Sequence, residues 1–214
     1  FDSILCFDIS HISGSSAVGS AIFYDENGFN KSNYRKFNIK NTNKSDDYAA
    51  LKEVINRRLI KINNYENSNI LIIVDGGKGQ ITQAKKVTTI LKCKNVSIIG
   101  IHKGLNRLTK NDKVLNSENI DITHDINQSA LTLIQSIRDE AHRFAILNQR
   151  KRHNKLMFNS KLDGIPGIGD ERKKAIINYF GGIQGVLKAS IRDLKQIDGI
   201  SEKLASNIYT NIHK

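Results

Sequence analysis

The sequence predicts an α/β fold, a mixed sheet flanked by helices, followed by a small all-α unit. Residues 70–80 (ILIIVDGGKGQ) run from five apolar, mostly β-branched residues into an acid and a glycine-rich corner, the pattern of a buried strand entering a turn. Short strand patterns and amphipathic helical patterns surround that stretch in the order βββαβαβ. From about residue 158 the character changes to two copies of one glycine-turn-helix pattern, 32 residues apart.

Each element has its own signal. Residues 4–10 (ILCFDIS) form a short apolar run with Asp8 near its end, and residues 17–24 (AVGSAIFY) form a second strand after a turn at residues 11–16. A hairpin-type turn, Asp25-Glu26-Asn27-Gly28, leads to an alternating third strand at residues 34–40. Ser45-Asp46-Asp47 then opens a helix, a cap followed by acids, with Leu51, Val54, Ile55, Leu59 and Ile62 on one face. A helix over residues 81–91 and a strand over 96–101 follow the central strand, and residues 103–125 read as polar loop with a short strand. Residues 127–155 carry the longest helical pattern and end in a basic run, NQRKRHNK.

The 214 residues suffice for one ordinary core plus a small module. No apolar run approaches the ~18 residues of a membrane span, and the start FDSILCFDIS lacks the charged and apolar regions of a signal peptide. With no initiator Met, the chain is expected to begin inside a longer protein. Cys6 and Cys93 have neither CxxC spacing nor a nearby His, which argues against a disulfide framework or zinc site and for thiols in a reducing cytosol. The net charge of +12 suits a polyanion such as nucleic acid, although much of the lysine would be solvated surface in any case.

The chemistry concentrates at strand ends. Asp75 closes a buried strand where α/β sheets place their ligands. The Gly76–Gln80 corner is too short and lacks the hydroxyl of a nucleotide phosphate loop, and the plain alternative is that Asp75 only caps the next helix. In a βββαβαβ sheet the first strand and the central one lie side by side, so Asp8 and Asp75 would face each other and bind Mg²⁺ or Mn²⁺. On the long helix, His142 lies one turn from Arg138 and Asp139, a spacing that serves catalysis or structure equally.

The repeated turns are Ile165-Pro166-Gly167-Ile168-Gly169 and Asp198-Gly199-Ile200-Ser201. Glycines there allow positive φ and present amides at a helix start, where an anion is favoured. The pair resembles the tandem helix-hairpin-helix DNA-binding module, with Lys173, Lys174 and Lys203 near the expected phosphates. A helical unit for protein contacts is the plain alternative.

CFDISHISGSSAVGS, DDYAALKEVINRR, LIIVDGGKGQ, RDEAHRFAI and the IPGIG…IDGIS pair resemble, in order, the C-terminal half of the UvrC family of bacterial nucleotide excision repair nucleases. That resemblance implies an RNase H-like endonuclease domain over residues 1–157 and a tandem helix-hairpin-helix domain over 158–214. It implies a 5′ incision beside lesions in duplex DNA, a divalent Mg²⁺ or Mn²⁺ ion held by Asp8 and Asp75, and a UvrB–DNA complex as partner. The family triad carries over to Asp8, Asp75 and His142, and a further Asp to Asp47 rather than Asp46; Lys78 is expected on a phosphate. The resemblance leaves open whether His142 is ligand or base. The family's GIY-YIG domain and UvrB-binding segment have no counterpart in these residues, and the stretch Ile101-His102-Lys103-Gly104 is less basic than the family pattern. The alternatives are a catalytically silent DNA- or partner-binding module, and a nuclease for junctions or hybrids.

Overall fold

The structure, a computed structural model, describes residues 1–10, 17–39, 46–62, 68–102 and 112–213, with backbone alone for 151–157, 159 and 160. The turn expected at residues 11–16, the helix-opening Ser45, the Lys103-Gly104 stretch and most side chains of the basic run lie outside these residues. The chain divides into two compact units, Phe1–Gln149 and Arg150–Lys214.

Among the described residues, the first unit is built on a seven-stranded mixed sheet. Strands β1 (Ser3–Ser10) and β2 (Val18–Asp25) pair antiparallel, and both β3 (Gly28–Phe29) and β4 (Arg35–Asn38) pair with β2. The expected third strand is thus shorter, with a 3₁₀ turn at Lys31–Asn33 between β3 and β4. Helix α1 (Asp47–Leu59) starts from an Asp46 side chain that accepts the Ala49 N–H. Strand β5 (Ile70–Asp75) lies parallel to both β1 and β6 (Val96–His102), and β7 (Lys113–Leu115) closes the edge antiparallel to β6. Helix α2 (Lys78–Ile90) begins three residues before the expected start, because the glycine corner supplies its first turn.

Strand parity divides the core in two. Leu5, Phe7, Ile70, Ile72 and Val74 pack beneath α1 and α2 with Leu51, Val54, Ile55, Ile81 and Ala84. Their neighbours Cys6, Leu71, Ile73, Ile99 and Ile101 pack on the opposite face against Ile134, Ile137 and Ala141 of helix α3 (Gln128–Asp163). Apolar residues on both faces mark a sheet covered by helices on each side. Each fully buried Ile or Leu contributes about 1.5–3 kcal/mol. Asn127 caps α3 through the Ala130 N–H, and the helix continues past the expected residue 155 to Asp163, just before Gly164.

The second unit contains α4 (Asp170–Tyr179), α5 (Ile183–Lys188), α6 (Ile191–Leu194) and α7 (Glu202–His213). Ile165, Ile168 and Ile176 of the first repeat and Ile197, Ile200 and Ile208 of the second share one core with Phe158 and Leu162. The two copies share the turn's structure as well as its pattern. Ile168 N–H donates to Ile165 O and Ile200 N–H to Ile197 O, each at 3.1 Å.

Candidate active site

The same parity that sorts the core also aims the acids. In β1, Cys6 faces α3, so Asp8, two residues on, extends that face; in β5, Leu71, Ile73 and Asp75 follow the same rule. The last parallel rung pairs Phe7 with Val74, which leaves Asp8 and Asp75 side by side one residue beyond it. The expected neighbours are therefore neighbours.

Helix α3 completes the cluster. His142 Nδ1 lies 3.2 Å from Asp8 Oδ2. One turn earlier, Arg138 Nε donates to Asp75 Oδ1 at 3.3 Å, and its Nη1 donates to Asp112 Oδ2 at 2.9 Å. The Asp8 and Asp75 side chains are 12% and 16% exposed and His142 is 51% exposed, so the cluster is rooted in the protein and open on its imidazole side. Beneath it, burial and then the charges of Asp75 and Asp8 push the Cys6 thiol well up, which keeps that thiol protonated.

The face of α3 is anchored beside the cluster. Tyr34 donates its hydroxyl to Glu140 Oε1 at 3.1 Å and meets the Phe144 ring edge-on at 5.1 Å. Bonds from Arg143 hold the Glu140 carboxyl below its usual range, and burial with the Glu140 bond pushes the Tyr34 phenol up.

One ligand atom from each of Asp8, Asp75 and His142 lies within 4.8 Å of the other two. Ligand atoms at about 2.1 Å from a single Mg²⁺-sized ion spread over no more than ~4.2 Å, so small side-chain adjustments bring this set onto one ion. Two carboxylates and an imidazole also suit such a cation chemically. The residues fit a divalent metal.

Other expected residues are placed differently. Asp75 is not a helix cap: the α2 N-cap is Gly77, which makes no side-chain cap bond. Asp47 is the exposed first residue of α1 and is not one of the three clustered residues; Asp46 is engaged as the cap. Lys78 is exposed at the start of α2. Nearby, the exposed Tyr48 ring lies where a Gly79 Cβ would sit, 2.4 Å away, so any side chain at residue 79 would displace it.

In the hairpin unit, Gly167 and Gly199 adopt φ of 90° and 81°, the left-handed conformation at equivalent positions. Ile168 and Ile200 are core residues whose amides close the turns, which narrows the expected amide set to their neighbours. Gly169 starts α4 with no side-chain cap, whereas the Ser201 hydroxyl accepts the Leu204 N–H. Lys174 and Lys203 are exposed, but Lys173 is bound to Asp163 and Asp170. Arg172 donates to Gly167 O at 2.6 Å and passes beside Gly199.

Sequence reasoning missed the roles of Arg138 and Asp112. The available signal was an arginine between Ile137 and Ala141, on the apolar stripe of α3 and one turn from His142.

The comparisons with known proteins converge. Residues 1–146 match the UvrC RNAse H endonuclease domain and residues 160–214 the SAM-like helix-hairpin-helix tandem. The UvrABC system protein C of Saccharophagus degradans is 42% identical over 98% of this chain and 34% of its own length. Those of Legionella pneumophila and Neisseria gonorrhoeae are each 39% identical over 97% of the chain, which spans 34% and 35% of them. This chain thus spans about a third of the length of the relatives it matches. A structure of Ciona intestinalis Endonuclease V with DNA aligns at 15% identity over 49% of this chain and 46% of that one, with a TM-score of 0.32, too slight a likeness to argue from. A domain model that matches residues 1–146, together with relatives that align with nearly all of this chain, makes this chain a member of the UvrC family.

Proposed function

We propose that the chain is a divalent-metal-dependent DNA endonuclease that makes the 5′ incision beside lesions in nucleotide excision repair. The observation that carries this is the convergence of Asp8, Asp75 and His142 at adjacent strand ends under α3, in a family of repair nucleases. In this reading the domains are residues 1–157 and 158–214, and the hairpins hold duplex without reading its sequence.

Asp8, Asp75 and His142 would hold Mg²⁺ or Mn²⁺. Such an ion, when bound, activates water and stabilises the oxygen leaving phosphorus. Nδ1 of His142 faces the Asp8 carboxylate at 3.2 Å on a half-exposed ring, and the imidazole would serve the site as metal ligand or as base. Lys78 supplies positive charge for the substrate backbone, and Asp47 at the α1 start supports the site from its edge. The amides flanking Ile168 and Ile200, with Lys174 and Lys203, would grip phosphates of the flanking duplex. In the full-length family member, damaged duplex loaded with UvrB would be the substrate complex.

The test is the place of the cut. On a lesion-bearing duplex loaded with UvrB and pre-nicked 3′ to the lesion, a single new nick should appear on the 5′ side of the same strand. Preferred cutting of an RNA–DNA hybrid or a junction would move the activity to the other nuclease class.

A further inference from the structure

Two residues one turn apart on α3 reach two different strand ends: His142 meets Asp8 on β1, and Arg138 meets Asp75 on β5. We propose that Arg138 is a positioning residue of this site: its guanidinium, itself fixed by Asp112, sets the orientation in which Asp75 is offered to the same ion as Asp8 and His142. The inference rests on the reading of that cluster as a metal site.

The arrangement is poorly explained as a device for stability alone. Arg138 and Asp112 are each 5% exposed, and burying such a pair costs several kcal/mol per ion in desolvation, which the attraction repays only with good geometry. The geometry instead divides the fork between two carboxylates. Nε takes Oδ1 of Asp75, and Nη1 takes Oδ2 of Asp112, with the exposed Asp139 farther off at 3.7 Å. A guanidinium is planar, so anchoring Nη1 on Asp112 restrains where the Nε–H points. With Oδ1 engaged by that Nε–H, rotation of the Asp75 carboxylate is restrained. A group that orients a metal-binding carboxylate in this way typically changes metal affinity about 10- to 100-fold when it is lost. Lysine would keep the charge but would have no fork to span both acids.

The experiment is Mn²⁺ binding to the chain without DNA, read from the loss of the free-ion electron paramagnetic resonance signal, alongside thermal melting. Asp75→Asn, Arg138→Lys and Asp112→Asn are compared with the parent chain below each variant's melting range. The expected result is that Asp75→Asn loses binding and that Arg138→Lys and Asp112→Asn weaken it by about tenfold or more while remaining folded. Should Arg138→Lys fail to fold, Asp112→Asn, which keeps the guanidinium but loosens it, decides. Parent-like Mn²⁺ affinity in the folded variants, with only a lowered melting temperature, would reduce Arg138 to a structural pair and overturn the proposal. If Asp75→Asn itself bound Mn²⁺ like the parent, the metal site would fall instead, a result distinct from failure of Arg138 alone.

Discussion

The two units of this chain place their candidate groups by opposite means. In the sheet unit, strand parity and one turn of α3 bring together Asp8, Asp75, His142, Arg138 and Asp112, and every feature is a side chain. In the hairpin unit the repeated feature is backbone: a left-handed glycine and a closing amide bond, 32 residues apart and the same in both copies. One arrangement can place a reacting centre at a point. The other can hold a uniform backbone without choosing a sequence.

The contrast is broken most forcefully at Asp8. Asp8→Asn removes one charge from the proposed metal site and should slow strand nicking by about 10³-fold or more, several kcal/mol of transition-state stabilisation, with duplex affinity unchanged in a gel-shift titration. If the substitution cost affinity instead, the division of labour would be wrong. Next come Gly167→Ala and Gly199→Ala. Both positions have room for a methyl group, with the nearest atoms at 3.8 Å and 3.7 Å, so the penalty is purely conformational. At about 1–2 kcal/mol each, relaxation of that strain should turn the hairpin amides from their phosphates and weaken duplex binding by roughly tenfold. Gly169→Ala is the control: φ is −97° and no atom lies within 4 Å of its Cβ position, so affinity should hold.

A smaller effect separates the lysines. Lys174→Ala or Lys203→Ala should reduce the slope of log affinity against log salt by about one, the signature of one lost phosphate contact. Lys173→Ala should leave the slope nearer the parent's and act on stability, because that lysine is paired with Asp163 and Asp170.

Smallest is a pH effect in the sheet unit. The Thr123 hydroxyl and N–H, with Lys113, hold the Asp121 carboxyl at about 2. A depressed carboxylate stabilises the fold fully above its unfolded value of about 4 and loses that contribution as pH falls through 2. Thr123→Val should therefore flatten the acid dependence of amide exchange around β7; an unchanged profile would count against this hydrogen bonding.

Much of the architecture is legible because a strand buried on both faces leaves a continuous apolar run. Residues 70–74 announce a strand and Asp75 closes it, while the face its acid takes is set by the sheet. The tandem turns are legible because the positive φ at Gly167 and Gly199 favours glycine. His142 is different: helical spacing alone leaves it open, and family resemblance singles it out. Asp112 was hidden because it lies in the unpatterned stretch of residues 103–125 and meets Arg138 across 26 positions, a contact made by tertiary packing. The start of α2 was misplaced for a related reason. Gly77 and Gly79 read as turn residues, yet one caps the helix and the other leaves space for Tyr48.

The most direct test of the account is single-turnover nicking of a UvrB-loaded lesion duplex, titrated with Mn²⁺ and run for the parent chain and Asp75→Asn with protein in saturating excess over DNA. The account predicts Mn²⁺-dependent 5′ nicking by the parent, and its loss in Asp75→Asn with DNA still bound. Nicking that persists in Asp75→Asn, or that proceeds in excess chelator, would contradict it.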